Sequence, residues 1–470
     1  MKTLKFNDGF MWGSATSGPQ TESSKNRSAT VWDVWHKEQP ELFFDGNKAL
    51  GNLEERYVEY VLHAKNAGFN SLRVSIQWSR LMPNGKDVSE SGVEFYKKYF
   101  TEIRKQGMKV MVNLMHFDTP EWLYRKGGFE TKESIEAYVE YASNAFEIFD
   151  EYVDVWFTFN EPIVPVEMGY LNKYHLPAIV DMKKAWQVQF NLLICHMKAV
   201  EIFKEKGYAQ EIGIILNITP VIPATESDAD KEASKWAEQF QFKCFLDPIL
   251  KGEVSDEFIQ DAKQKGYFWE ITDEEQKLID KKLGIDLLGI NYYAPKRVQT
   301  PKSKEFNNNF APDQMYYEDF IMPNRRINKH RGWEIFPEAI YIALKNIQEN
   351  YSNQKVFISE NGIGIQDEAR FKENGKIDDQ YRIEFMKEHL FWIHKAIQEG
   401  ANCVGYHMWT YIDNWSWLNA YKNRYGLYEF DLETNEIKAK TSAKWFAKTS
   451  INNLIEIKEN YEKNSTPTPK

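Results

Sequence analysis

Two glutamates stand out because each closes a short apolar run and is followed at once by a turn. Glu161 lies in Asn160-Glu161-Pro162 and Glu360 in Glu360-Asn361-Gly362. A facing pair of carboxyl groups suits glycosidic-bond cleavage: one is protonated at neutral pH and donates to the leaving oxygen, the other is ionised and attacks the anomeric carbon. Environment and mutual repulsion push two such pKa values apart. Other runs deliver polar groups as well. The first leads to Gln20 and Glu22, the second passes Arg73, and the third ends in His116-Phe117-Asp118. The sixth ends in Asn291-Tyr292-Tyr293, and the eighth delivers Trp409. Taken singly, each has a plainer account. Asn-Gly is an ordinary turn signal, a histidine after an apolar run is commonly a core residue, and Arg73 suits a structural ion pair. The plain accounts do not explain why so many collect at the same end of different runs.

The runs themselves are Phe10–Thr16, Ser71–Gln77, Lys109–Met115, Asp154–Asn160, Glu211–Ile218, Asp286–Tyr293, Val356–Asn361 and Cys403–Trp409. Their near-continuous hydrophobicity is that of parallel strands buried on both faces. Amphipathic segments at helical spacing lie between them, among them Asn52–Ala67, Ser89–Gln106, Lys132–Glu151, Lys183–Lys206 and Asp379–Gln398, with Gly68, Gly107 and Gly400 as stops. Eight strands alternating with helices predict an α/β chain folded as a single (β/α)8 TIM barrel, with chemistry at the carboxyl ends of the strands. A doubly wound open sheet is the alternative, but no G-x-G-x-x-G turn follows the first run. The connections after runs one, four, five, six and eight are long and rich in aromatics, so they are expected to wall a deep pocket. Residues 1–458 are assigned to the barrel and 459–470 to a polar tail.

Composition narrows the function classes. Of 470 residues, 42% are apolar and 27% charged, which excludes a disordered or collagen-like chain. Aromatic residues reach 15%, enough for rings that stack on a ligand besides those that fill the core. Net charge is −10, without a basic block, so nucleic acid is a poor partner. Cys195, Cys244 and Cys403 match no metal-ligand spacing and read as buried thiols in a reducing compartment. No apolar run is long enough to span a membrane, and Met1–Phe10 lacks the run of a signal peptide, so a cytoplasmic location is expected.

Several ordered motifs resemble glycoside hydrolase family 1, the retaining β-glucosidase family. They include Phe10-Met11-Trp12-Gly13-Ser14-Ala15-Thr16 with Gln20 and Glu22, Arg73 to Arg80, and His116-Phe117-Asp118-Thr119-Pro120. Thr158 to Pro162, Asn291-Tyr292-Tyr293, Gly332-Trp333-Glu334-Ile335 and Ile358 to Gly362 complete the set. The resemblance implies Glu161 as general acid/base and Glu360 as nucleophile, with Arg73 and Tyr293 holding the nucleophile ionised. It also implies that Gln20, His116, Asn160 and Trp409 contact the inner sugar and that Trp333 forms a wall nearer the leaving group. No metal or organic cofactor is implied. Phe117 and Ser359 stand where the family commonly has Trp and Thr.

After the eighth run, ordinary β-glucosidases of the family read roughly D-N-F-E-W, whereas this chain reads Asp413-Asn414-Trp415-Ser416-Trp417. A carboxylate there would repel a phosphate on the sugar's 6-position, and a serine hydroxyl donates to it. The segment resembles the phospho-β-glycosidase branch, which implies Ser416, Lys422 and Tyr425 as phosphate ligands. Many members carry the lysine two residues before the tyrosine, where this chain has Asn423, so Arg424 is kept as a substitute cation. The expected activity is that of a 6-phospho-β-glucosidase acting on a small phosphorylated β-glucoside. A 6-phospho-β-galactosidase stays open, because Trp417 resembles the residue that meets an axial 4-hydroxyl. So do an ordinary β-glucosidase, a non-catalytic phosphosugar-binding barrel, and a homo-oligomeric state.

Overall fold

The eight apolar runs become strands: β1 (Met11–Ala15), β2 (Ser71–Ser75), β3 (Lys109–Asn113), β4 (Val155–Asn160), β5 (Glu211–Leu216), β6 (Leu287–Asn291), β7 (Val356–Glu360) and β8 (Cys403–Trp409). Each lies within its predicted run. The computed structural model describes residues 2–46, 51–303, 305–307, 309–458 and 461. All eight strands are parallel, each pairs with the next, and β8 pairs with β1, which closes the barrel. Closure demands close backbone approach at places: a Cβ on Gly213 would sit 1.8 Å from the Leu287 carbonyl oxygen of the neighbouring strand.

Eight outer helices cover the barrel: α1 (Leu53–Asn66), α2 (Glu90–Lys105), α3 (Glu133–Phe149), α4 (Met182–Lys206), α5 (Asp273–Asp280), α6 (Glu338–Asn350), α7 (Gln380–Gln398) and α8 (Thr441–Asn452). In α2, Ser89 caps the start by accepting from the Gly92 amide at 3.2 Å, and Phe95, Tyr96, Tyr99, Phe100 and Ile103 form the buried stripe. Gly68, Gly107 and Gly400 take positive φ just past the ends of α1, α2 and α7.

Inside the barrel, Met11, Met111, Val155, Phe157, Ile215, Leu287 and Phe357 form an apolar plug. Strand pairing shifts register just above it in two places, between Phe157 and Asn160 on β4 and between Ile358 and Glu360 on β7. An irregularity of this kind re-aims the side chains that follow. Both glutamates of interest sit directly after one.

The long connections fold into small elements. The loop after β5 contributes Val221–Pro223 to a three-stranded sheet with Lys296–Gln299 and Glu318–Asp319, and a hairpin pairs Ile327–Asn328 with Trp333–Glu334. A buried ion network ties the loops after β7 and β8 to α7 and the start of α8. Arg382 bonds Glu368 and Asp379, and the Lys440 ammonium bridges Glu368 at 2.5 Å and Asp413 at 3.0 Å. The three cysteines are free and buried. No helix among the described residues is long and apolar enough to cross a membrane. The tail assigned to 459–470 falls outside the described residues except for Tyr461, whose ring lies 5.5 Å from Phe391.

Candidate active site

Glu360 ends β7 with both carboxyl oxygens engaged. Arg73 of β2 donates to Oε1, and the Tyr293 hydroxyl donates to Oε2 at 2.6 Å. Arg73 is wholly buried and also donates to Asn160 Oδ1 at 3.1 Å and to Ser359 Oγ at 2.5 Å. Burial and the charge of Glu360 hold the Tyr293 phenol well above its ordinary pKa, so it keeps the proton it donates.

Glu161 follows β4 in a left-handed backbone conformation, φ 48°. Its Oε1 accepts from Asn217 and from Asn291, each at 2.7 Å. Both donors are neutral amides. Burial, and then the negative charge of Glu360, push this carboxyl up to about 8. The two glutamates are linked through one hydrogen-bonded chain: Glu360 to Arg73, Arg73 to Asn160, Asn160 to Asn291 at 3.1 Å, and Asn291 to Glu161. The arrangement therefore sets an acid that keeps its proton at neutral pH beside a carboxyl group held by a guanidinium and a phenol. That is what proton donation and nucleophilic attack at one centre require.

Asn160 fixes a histidine tautomer. Its Oδ1 accepts from Arg73 and Asn291, so its Nδ2 is the atom that donates to His116 Nε2, at 3.3 Å. The His116 proton then resides on Nδ1, which is buried and has no protein partner. Burial, and then Arg73, hold this imidazole well below its usual pKa, so it is a neutral ring with a free donor. Gln20 is buried too, donating to the Trp415 carbonyl at 2.7 Å while its Oε1 accepts from Ser17.

Aromatic rings lie close to His116 and Tyr293. Trp409 packs with Ala15 and Tyr425, and its ring lies 5.8 Å from His116. Trp417 stacks on Trp32 at 4.4 Å and lies 6.1 Å from His116. Trp333 lies 5.4 Å from Tyr293. Glu22, noted at the end of the first run, is tied instead to Gln77, Arg80 and Tyr96 and holds the first loop in place.

The three residues expected around a phosphate differ in burial: Tyr425 is buried, Ser416 half-buried and Lys422 exposed. Arg424 and Ile365 exchange backbone hydrogen bonds, and the chain bends at Lys422 and Asn423 just before that bridge. Asn423 and Tyr425 are buried, whereas Lys422 is exposed, its ammonium 5.0 Å over the Phe44 ring. Arg424 donates to the Phe430 carbonyl and lies 3.7 Å from Asp413. Ser416 is half-buried in a tight turn, its amide donating to the Ala420 carbonyl at 2.7 Å.

The sequence reading missed Asn217. It lies within the fifth predicted run, just past the end of β5, and asking what that run delivers at its end would have found it. Asn291 was noted as part of a motif without its role beside Glu161.

Comparison with known proteins agrees with this geometry. The profile described as Glycosyl hydrolase family 1 matches residues 2–454. The chain is 44% identical to 6-phospho-beta-glucosidase GmuD of Bacillus subtilis (strain 168), over 94% of this chain and 97% of that one. It is 32% identical to Beta-glucosidase A of Acetivibrio thermocellus, over 96% of this chain and all of that one. Among solved structures, the family 1 β-glucosidase from Thermotoga maritima superposes with a TM-score of 0.88 at 31% identity, covering 97% of this chain and all of that one. With a closed eight-stranded barrel and a profile match across nearly its whole length, the chain belongs to glycosyl hydrolase family 1.

Proposed function

We propose that the protein is a retaining 6-phospho-β-glucosidase, with Glu161 as general acid/base and Glu360 as nucleophile. Glu360 attacks the anomeric carbon while Glu161 gives its proton to the departing oxygen. Water activated by Glu161 then releases glucose 6-phosphate from the glycosyl-Glu360 intermediate. The observation that carries the hydrolytic half is the unequal environment of the two carboxyl groups, one raised to about 8 and the other bonded by Arg73 and Tyr293.

The phosphate half is supported by Ser416, which offers a hydroxyl where a carboxylate would repel a dianion, and by the 44% identity to GmuD against 32% to Beta-glucosidase A. Gln20, His116, Asn160, Trp409 and Trp417 hold the inner sugar, and Trp333 meets the leaving group. A substrate phosphorylated during import fits a cytoplasmic enzyme.

The test compares p-nitrophenyl 6-phospho-β-D-glucoside with its unphosphorylated and galacto counterparts. The phosphorylated glucoside is expected to have the highest kcat/KM, and Glu360→Gln to abolish turnover with the fold intact. Equal efficiency on the plain glucoside would reject the phosphate half, and unchanged turnover in the variant would reject the nucleophile.

A further inference from the structure

Lys422 is exposed with its ammonium over Phe44, and a different cation, Arg331, lies in the connection between β6 and β7. Arg331 occupies the turn between Ile327–Asn328 and Trp333–Glu334, its guanidinium carbon 4.3 Å from the centroid of the Trp333 ring. Trp333 in turn lies 5.4 Å from Tyr293, the phenol bonded to Glu360.

Three hydrogen bonds link this turn to the loop that carries Tyr425 by way of the loop after β7. Asn328 Nδ2 donates to the Gly364 carbonyl at 2.9 Å. Gln366 Nε2 donates to the His330 carbonyl at 3.2 Å and to Asn423 Oδ1 at 3.3 Å. Gly364 lies flat against the Tyr425 ring, where a Cβ would approach to 2.4 Å, so any side chain would displace the phenol. The Arg331 charge is also the strongest influence opposing burial on the Tyr425 hydroxyl, ahead of Arg382.

Arg331 is uncommitted where the neighbouring cations are not. Its Nε is buried without a hydrogen-bond partner, and among the described residues no carboxylate forms an ion pair with it. Arg382 and Lys440 are locked into the buried ion network, and Arg424 is held by the Phe430 carbonyl near Asp413. Asn423, at the position where the lysine was expected from the family, keeps a buried Nδ2 without a partner. A buried donor left unpaired is costly, and a bound anion removes that cost.

We infer that Arg331, braced on Trp333, is the cation that recognises the 6-phosphate, joined by the Tyr425 and Ser416 hydroxyls and the free amide of Asn423. This rests on the 6-phospho-β-glucosidase reading above. A guanidinium presents a planar fork of donors to phosphate oxygens, so the site uses arginine from the β6–β7 connection where an ammonium from the β8 loop was expected.

The experiment measures Arg331→Met, Arg331→Lys and Lys422→Met on p-nitrophenyl 6-phospho-β-D-glucoside and on the plain glucoside, with inorganic phosphate as a competing ligand. Arg331→Met should lower kcat/KM on the phosphorylated substrate about 30-fold, chiefly through KM, with less than about a threefold change on the plain one. Arg331→Lys should recover part of the loss, and inhibition by phosphate should weaken in parallel. Lys422→Met should change both substrates by less than about threefold. Equal losses on both substrates in Arg331→Met would overturn the inference, reducing Arg331 to a brace for Trp333. A large selective loss in Lys422→Met with a neutral Arg331→Met would overturn it while leaving the phosphoglucosidase reading intact. Wild-type enzyme indifferent to the phosphate would sink that reading and the inference together.

Discussion

Replacing Glu161 by Gln should end turnover and, at neutral pH, make the protein more stable. The Glu161 carboxyl stands at about 8 in the fold against 4.5 for an exposed glutamate. Between those values the folded protein holds a proton that the unfolded chain has released. Stability therefore falls as pH rises from about 4.5 to about 8 and levels off above. At about 1.4 kcal/mol per pH unit, the cost is ~3 kcal/mol at pH 7 and ~5 kcal/mol beyond pH 8. Glutamine keeps a carbonyl oxygen for Asn217 and Asn291 and carries no charge, so the variant escapes that cost. For a chain of this length, ~3 kcal/mol corresponds to a rise in Tm of about 3 °C. Calorimetry on both proteins from pH 4 to 9 is the assay. The difference should be near zero at the acid end, reach about 3 °C by pH 7 and flatten above pH 8. A difference of equal size at pH 4 and pH 8 would refute the assignment of Glu161 as a buried, proton-holding acid.

Asn291→Ala removes a donor whose bond to Glu161 holds that carboxyl down, so the alkaline fall in kcat/KM, expected near the Glu161 value of about 8, should move to higher pH; an unmoved or lowered limb in the pH–rate profile would contradict the role. Lys440→Met strips a wholly buried ammonium from Glu368 and Asp413, and urea unfolding should show a loss of about 3–5 kcal/mol. A loss below about 1 kcal/mol would mean that Arg382 and Arg424 neutralise those carboxylates unaided.

The barrel was legible because its strands are buried on both faces. A run such as Val356-Phe357-Ile358 has no solvent side, and its continuous hydrophobicity marks it as a parallel strand. Glu161 and Glu360 were legible for a related reason: charged residues immediately after such runs have to be at the strand ends, where the pocket opens. Small elements inside the connections were not legible. Two-residue strands such as Ile327–Asn328 and Trp333–Glu334 carry no periodicity, so nothing in the sequence placed Arg331 beside Trp333. Lys422 shows the limit most clearly. Residue type and spacing to Tyr425 were visible, but the chain bends at Lys422 and Asn423, and the direction each side chain takes depends on the register that follows. The bridge between Ile365 and Arg424 sets that register, and it pairs residues from two different connections.

The contrast between the two glutamates shows how one side-chain type meets two environments. Glu360 meets a buried guanidinium that has no other carboxylate partner among the described residues, so its negative charge supports the barrel interior as well as the chemistry. Glu161 is bonded by two neutral amides, and there burial and the field of Glu360 outweigh the more distant charge of Arg73, so the carboxyl keeps its proton. The asymmetry depends on Arg73 donating to Glu360 and to Asn160 while Asn160 returns no charge toward Glu161. A second cation on the Glu161 side would lower its carboxyl and remove the acid. A neutral residue in place of Arg73 would leave Glu360 as an uncompensated buried charge. The placement of one arginine among three asparagines, more than the identity of the glutamates, gives the two carboxyl groups the unequal environments on which the proposed division between donor and nucleophile rests.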